Sequence, residues 1–445
     1  MIQNIVEAVE KYRELIFEAE KYLWANPETG YKEWKTSKYM EDRFEEMGYT
    51  LTKAKDITGF YTQIDTGRAG PEVLILAELD SVICPTHKDA DPTTGAVHAC
   101  GHHAQCATLL GIAGALKDEK VLSALCGKIR LCAVPAEELL EMEYRTALMK
   151  EGKIKYYGGK SEFLSRGYFD GVDMAFMVHT TSNGFKSDLG MIGVVAKKVI
   201  YKGVASHAGG APWEGKNALY AATCGLNAVN ALRETFRESG LVRWHPIITH
   251  GGDMVNAIPE TVRIESYVRG GDFQTLEHEN KKINQALIGS ALSFGVNIEI
   301  IDEPGYAPLH NATGLLAIAK EAYQILEPDK PFTENHEYDT GSTDMGDLSC
   351  IMPVVHPYAA GACGTSHGND YRIYDVEQAC VTSAKWQLVM LTLLLQDGAI
   401  RAKNIIENYK PRFASKEEFL ARQDSIRSSG ERIEYRADGS VELKL

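Results

Sequence analysis

The chain has 445 residues, 44% of them hydrophobic, and carries 61 acidic against 47 basic side chains for a net charge of -14. That acidic balance argues against a phosphate backbone or an anionic membrane surface as partner, so neither nucleic acid nor membrane binding is expected. The length exceeds one ordinary core and predicts two domains, or one large domain carrying an insertion.

Apolar residues recur at helical spacing in the N-terminal segment (Ile5, Val9, Tyr12, Ile16), with no basic stretch leading into an apolar core, so it reads as a soluble helix. The first 60 residues read as two amphipathic helices separated by the turn ANPETG, with Glu28 as loop punctuation. Short apolar runs then alternate with helical patterns: strand 72–79, helix 104–117, strand 128–134, helix 140–150, strand 174–178. This rhythm predicts an α/β fold with a mostly parallel sheet flanked by helices. From residue 190 the order becomes strand (191–205), helix (215–237), two strands (246–250, 261–269), helix (273–293) and strand (VNIEII). That is the split βαβ order of a ferredoxin-like α+β domain, read as an insertion over 190–304. The first domain, 1–189, is completed by 305–445. Its returning part carries a helix at 312–326, a strand at 351–357, a helix at 375–397 and a charged tail from about residue 400. No apolar run approaches the roughly 18 residues of a membrane span. Nine cysteines without regular spacing predict reduced thiols and a cytoplasmic protein.

Ligands of parallel sheets gather beyond the carboxyl ends of the strands. Asp80 follows the first strand and Glu137 and Glu138 the second. His179 follows the third, while His98, Cys100, His102 and His103 precede the helix at 104. His367 lies in a Gly-rich loop, CGTSHGNDY. Thiolate, imidazole and carboxylate are the donors that zinc and its neighbours take. Cys100, His102, Glu138, His179 and His367 would supply five, too many for one tetrahedral ion with an open position but suited to two ions about 3.5–4 Å apart. Of the two adjacent acids, one can coordinate while the other exchanges a proton with water, and Asp80 can orient a ligand.

Each residue also has a plainer reading. Cys106, Cys126, Cys132, Cys224 and Cys380 read as small core hydrophobes. Any one of the histidines could start a helix or face solvent, and paired glutamates can serve a helix dipole. A thiol enzyme with Cys100 as nucleophile and a histidine base is a further alternative.

Together the motifs HACGHH (98–103), PAEE (135–138), HTTS (179–182) and SHAGGAPWEGKNAL (206–219) resemble the dinuclear metallopeptidase and amidohydrolase family of aminoacylases and glutamate carboxypeptidases. GGDMVNAIPETVRI (251–264) and DTGSTDMGDLS (339–349) resemble its branch of auxin-conjugate hydrolases and aminobenzoyl-glutamate hydrolase, B subunit included. The resemblance implies a zinc-peptidase-like catalytic domain, a satellite domain for dimerisation, and two divalent ions, zinc or manganese. It implies Cys100, His102, Glu138, His179 and His367 as metal ligands, Glu137 as general base and Asp80 as orienting aspartate. His207 would reach the active site of the partner subunit in a homodimer, and Asn256 and Arg269 would hold the substrate carboxylate. Two positions depart from the family pattern. Glu78 stands where many relatives have a histidine ligand and is left out of the ligand set, and His103 stands where an aspartate or asparagine is usual. The implied activity is hydrolysis of the amide bond of an N-acyl or N-aroyl amino acid or dipeptide. The alternative is a non-catalytic or partner-dependent subunit, paired with a related second chain, that binds metal and ligand.

Overall fold

The computed structural model describes residues 2–445, which divide into two compact units. The first comprises the chain up to Gly190 together with Leu309–Asp339 and Thr343–Lys416. Its central sheet has six strands, in the order Thr52–Lys53, Phe60–Asp65, Lys128–Val134, Glu72–Glu78, Met174–Phe176, Val354–Val355. The last four run parallel to one another. Phe60–Asp65, absent from the sequence-based reading, joins antiparallel to Lys128–Val134 and makes the sheet mixed. Every residue of Glu72–Glu78 is buried, as expected of a strand covered on both faces.

Helix His102–Ala115 is buried along its whole length, packed against Glu72–Glu78 and under helices Arg13–Trp24 and Ser383–Leu395. A helix apolar all round belongs inside a core. The N-terminal segment forms three helices rather than two: Ile2–Glu10, Arg13–Trp24 and Trp34–Glu46. Glu28 does more than punctuate the turn, because its carboxylate accepts from the Lys35 and Thr36 backbone N–H groups at 2.9 Å each and so caps the third helix. Helix Gly159–Ser165, also absent from the sequence-based reading, docks by its first residue. Gly159 N–H donates to Ala136 O at 3.1 Å, and a Cβ there would run into the Pro135 carbonyl.

The second unit comprises Met191–Pro308, Thr340–Ser342 and Glu417–Leu445. Strands Gly193–Lys202, Arg243–His250, Thr261–Gly270 and Asn297–Pro304 form an antiparallel sheet, with helices Ala218–Ala231 and Phe273–Ser293 interleaved in the split βαβ order. Thr261–Gly270 alternates half-buried and buried residues, turning Val262, Ile264 and Val268 into the core. Both helices are capped: Asn217 accepts from Tyr220 N–H at 3.0 Å and Asp272 from Thr275 N–H at 2.8 Å, each worth about 1 kcal/mol.

The tail departs from the boundaries drawn from sequence. Ser428–Glu431 adds a fifth strand beside Asn297–Pro304, which ties Glu417–Leu445 to the second unit rather than to the first. The pairing is carried by backbone groups, which any residue supplies. Among the described residues no helix is long and apolar enough to cross a membrane.

Candidate metal centre

Parallel strands of the first unit end at one sheet edge, and each carries a donor just beyond. Asp80 follows Glu72–Glu78, Glu137 and Glu138 follow Lys128–Val134, and His179 follows Met174–Phe176. Cys100 and His102 come from the start of the buried helix, which begins at His102 rather than near Ala104. His102 and His103 are themselves buried and belong to the first turn, so the apolar pattern alone placed the start too late. Gly101, just before them, has φ +97°, and a side chain there would collide with Thr180 Oγ1 and the Tyr371 hydroxyl. The His367 loop is pinned to this segment by a hydrogen bond from His367 N–H to Ala99 O at 2.8 Å. Two non-glycine residues sit in the left-handed region here, His367 (φ +62°) and Ala136 (φ +55°), as strained residues at functional sites often do. Ala136 N–H donates to the buried Glu33 carboxylate at 2.8 Å, which holds the PAEE turn in that conformation.

The imidazoles are fixed in a definite sense. His102 Nδ1 lies 3.0 Å from Asp80 O and 3.2 Å from Asp80 Oδ1. Both oxygens can only accept, so Nδ1 carries the proton and Nε2 presents its lone pair. That Nε2 is buried with no hydrogen-bond partner. His179 repeats the pattern, with Nδ1 2.9 Å from Thr180 O and Nε2 3.3 Å from Cys100 Sγ. Asp80 also acts on a second loop. Its Oδ2 accepts from Glu138 N–H at 2.8 Å, so one carboxylate orients a histidine from one loop and the backbone of another. His367 Nε2 is 2.9 Å from Glu138 Oε1.

Three sets of donors converge closely enough to hold an ion: Cys100, His102 and His179; Cys100, Glu138 and His367; and Glu78, His102 and Glu137. The first two contain all five expected ligands and share Cys100. A buried imidazole lone pair without a partner, beside a thiol and a carboxylate, suits zinc, manganese or cobalt. A thiol nucleophile would need one base beside Cys100, not four donors in two groups.

The protein's own charges polarise the cluster strongly. Burial would raise the Cys100 thiol, but His102, His179 and His367 outweigh it and bring the thiol down to about 5. Burial likewise opposes ionisation of Glu138, yet His367 and His102 hold it at about 2. Glu137 goes the other way, pushed well above the usual carboxylate range by burial and then by the charges of Glu78, Glu138 and Asp344. Adjacent acids with opposite shifts divide naturally into a ligand and a proton carrier.

The remaining expected residues lie elsewhere. His103 is fully buried beside Glu20 (3.4 Å), Trp24 and His98, away from the donor groups, and His98 packs on its ring. In the second unit, His207 is exposed on a loop where its Nδ1 accepts from Gly209 N–H (3.2 Å) and Gly210 N–H (2.8 Å). Asn256 is exposed next to it, its carbonyl accepting from Ala208 N–H at 3.0 Å. Arg269 is half-buried, donating to His245 Nε2 and Ser342 Oγ at 3.0 Å each. Lys160 escaped the sequence-based reading: it is fully buried, 2.5 Å from Glu78 Oε1, and also pairs with Asp344. Nothing around a lone lysine in GGKSEF marks it, although the DTGSTDMGDLS motif contains its partner Asp344.

Residues 74–391 match the family described as Peptidase family M20/M25/M40. The chain is 27% identical over 383 residues to the Xaa-Arg dipeptidase of Mus musculus, covering 83% of this chain and 82% of that protein. It is 27% identical over 267 residues to one subunit of the p-aminobenzoyl-glutamate hydrolase of Escherichia coli, covering 54% of each. Its fold superposes on a dinuclear metal-binding M20 peptidase of Bacillus subtilis with a TM-score of 0.63 at 20% identity, over 87% of this chain and 99% of that one.

Proposed function

The chain belongs to peptidase family M20/M25/M40, hydrolases of carbon–nitrogen bonds, and from that premise we propose that it cleaves the amide bond of N-acyl or N-aroyl amino acids and dipeptides at a two-metal centre bridged by Cys100. The observation that carries this reading is that Cys100 belongs to two donor groups at once, with His102 and His179 on one side and Glu138 and His367 on the other. The names of the relatives, a dipeptidase and an aminobenzoyl-glutamate hydrolase, point to the same class of small amide.

Divalent ions bound there would polarise the scissile carbonyl and acidify water to near neutral pH. Asp80 holds His102 and the Glu138 loop in place, and Glu137 moves the proton. Its raised basicity lets it take a proton from the attacking water and pass it to the leaving amide nitrogen. His207 of the partner subunit donates to the developing oxyanion. Support for that role lies in its ring: Nδ1 accepts two backbone N–H groups, so the neutral imidazole carries its proton on Nε2, where a donor is needed. Asn256 and Arg269 read the substrate carboxylate, for which a guanidinium fork is well shaped.

The test is turnover by the purified chain alone on N-acyl amino acids, aminobenzoyl-glutamate and dipeptides, loaded with zinc, manganese or cobalt. Activity is expected to vanish with chelator, return with metal, and fall by roughly 10²–10⁴ in Glu137→Gln with metal retained. A metal-loaded chain that cuts none of these substrates contradicts the reading and leaves a binding or partner-dependent subunit.

A further inference from the structure

The third donor group poses a problem for the two-metal centre. Glu78, His102 and Glu137 are as closely gathered as the two groups around Cys100, and all three are buried. His102 has one nitrogen to offer, because Nδ1 is held by Asp80. Its Nε2 stands 3.2 Å from Glu78 Oε2 and 4.0 Å from Glu137 Oε2. An ion on His102 can therefore side with Cys100 and His179 or with the two glutamates. In the second case Glu137 would be a ligand and its lone pairs would be withdrawn from proton transfer.

What distinguishes the glutamate side is a cation already in place. Lys160 Nζ lies 2.5 Å from Glu78 Oε1, and neither side chain has access to solvent beyond 1%. The lysine cannot swing away. Its Nζ also pairs with Asp344 Oδ1, and its backbone N–H donates to Asp344 Oδ2 at 2.9 Å. Glu78 is fixed from the other side by Gln105, whose Nε2 donates to Glu78 Oε2 at 2.8 Å while its Oε1 accepts from Glu78 N–H at 3.1 Å. Both carboxylate oxygens of Glu78 are thus engaged before any metal arrives, and an ammonium stands beside the group where a dication would have to settle.

We propose that Lys160 is a positioning residue that serves as a resident cation: by neutralising Glu78 it denies the Glu78–His102–Glu137 group to metal, keeps the His102 ion on the Cys100 side, and reserves Glu137 for the proton. The proposal rests on the two-metal reading above. It also accounts for an acid at position 78 that crowds a ligand histidine without needing to bind metal.

Full-length protein loaded with cobalt(II) provides the test, through the number of ions bound and the thiolate-to-cobalt charge-transfer absorption per ion. Wild type is expected to bind two ions and show the band. In Lys160→Met one ion moves to the glutamates, so the band falls by about half at unchanged ion count, one of two cobalt–sulfur bonds being lost. The double variant Lys160→Met/Glu78→Gln is expected to regain the wild-type band, because the competing carboxylate is gone. Glu78→Gln alone, which keeps the lysine, is expected to retain both ions and the band, and it tests the idea even where Lys160→Met fails to fold. An unchanged spectrum in Lys160→Met, a double variant that stays weak, or loss of an ion in Glu78→Gln each overturns the role of Lys160. A wild-type protein with no thiolate band overturns the two-metal reading itself, so the two failures are told apart.

Discussion

Replacing Asp80 by asparagine keeps size and shape but removes one acceptor. The aspartate receives two donors on different oxygens, His102 Nδ1–H at 3.2 Å and Glu138 N–H at 2.8 Å. An asparagine has one acceptor oxygen and one NH₂, so in either orientation a donor faces a donor. His102 keeps its contact to Asp80 O, a backbone atom that the substitution spares. The loss is then concentrated on the amide oriented toward Glu138 N–H or on a weakened hold on the ring. A buried donor left unsatisfied costs about 1–3 kcal/mol. Groups that orient metal ligands typically change metal affinity by about 10–100-fold, which is a similar energy. Competition titration with a chromophoric zinc chelator measures this directly, with circular dichroism to show that the fold persists. Asp80→Asn is expected to weaken zinc binding by roughly 10–100-fold and Asp80→Ala by a similar factor. A folded Asp80→Asn protein whose zinc affinity stays within about twofold of wild type would refute the assignment of Asp80 as the anchor of both loops.

Cys100 offers a pH test. Its thiol sits at about 5 in the metal-free protein, far below an ordinary thiol near 8.5. Iodoacetamide should therefore alkylate Cys100 in chelator-treated protein with a rate that rises through pH 5 and levels off above it, while bound metal protects it; a midpoint near 8.5 would count against the histidine environment. The shared site can be tested by mixing. Equal amounts of Glu137→Gln and His207→Ala chains, each inactive alone, should regain about one quarter of wild-type activity once subunits exchange, because half of the dimers then hold one intact site. Exchange without recovery would remove His207 from the partner's reaction.

The strand ends were legible because fully buried parallel strands read as unbroken apolar runs, such as EVLILAE and KIRLCAV, and the polar residue after each run falls at the sheet edge. The ferredoxin-like order was legible for a similar reason, from alternating strands and a long charged helix at 273–293. Other features depend on contacts that local sequence does not encode. Lys160 pairs with residues 82 and 184 positions away, and its helix of GKSEFLS has no amphipathic pattern of its own. The strand SSGE in the tail has no apolar alternation, since its pairing uses only backbone groups at a sheet edge. Glu28 and Glu33 look alike as loop acids, yet the first caps a helix and the second holds the PAEE turn, a difference made by which backbone N–H groups the fold brings near.

Anomalous diffraction from crystals of the zinc-loaded protein, recorded on both sides of the zinc edge, tests the central claim most directly. Two peaks about 3.5–4 Å apart are expected, both bonded to Cys100 Sγ, with His102 and His179 on one and Glu138 and His367 on the other. A single peak, or a pair in which Cys100 Sγ touches neither ion, would contradict it.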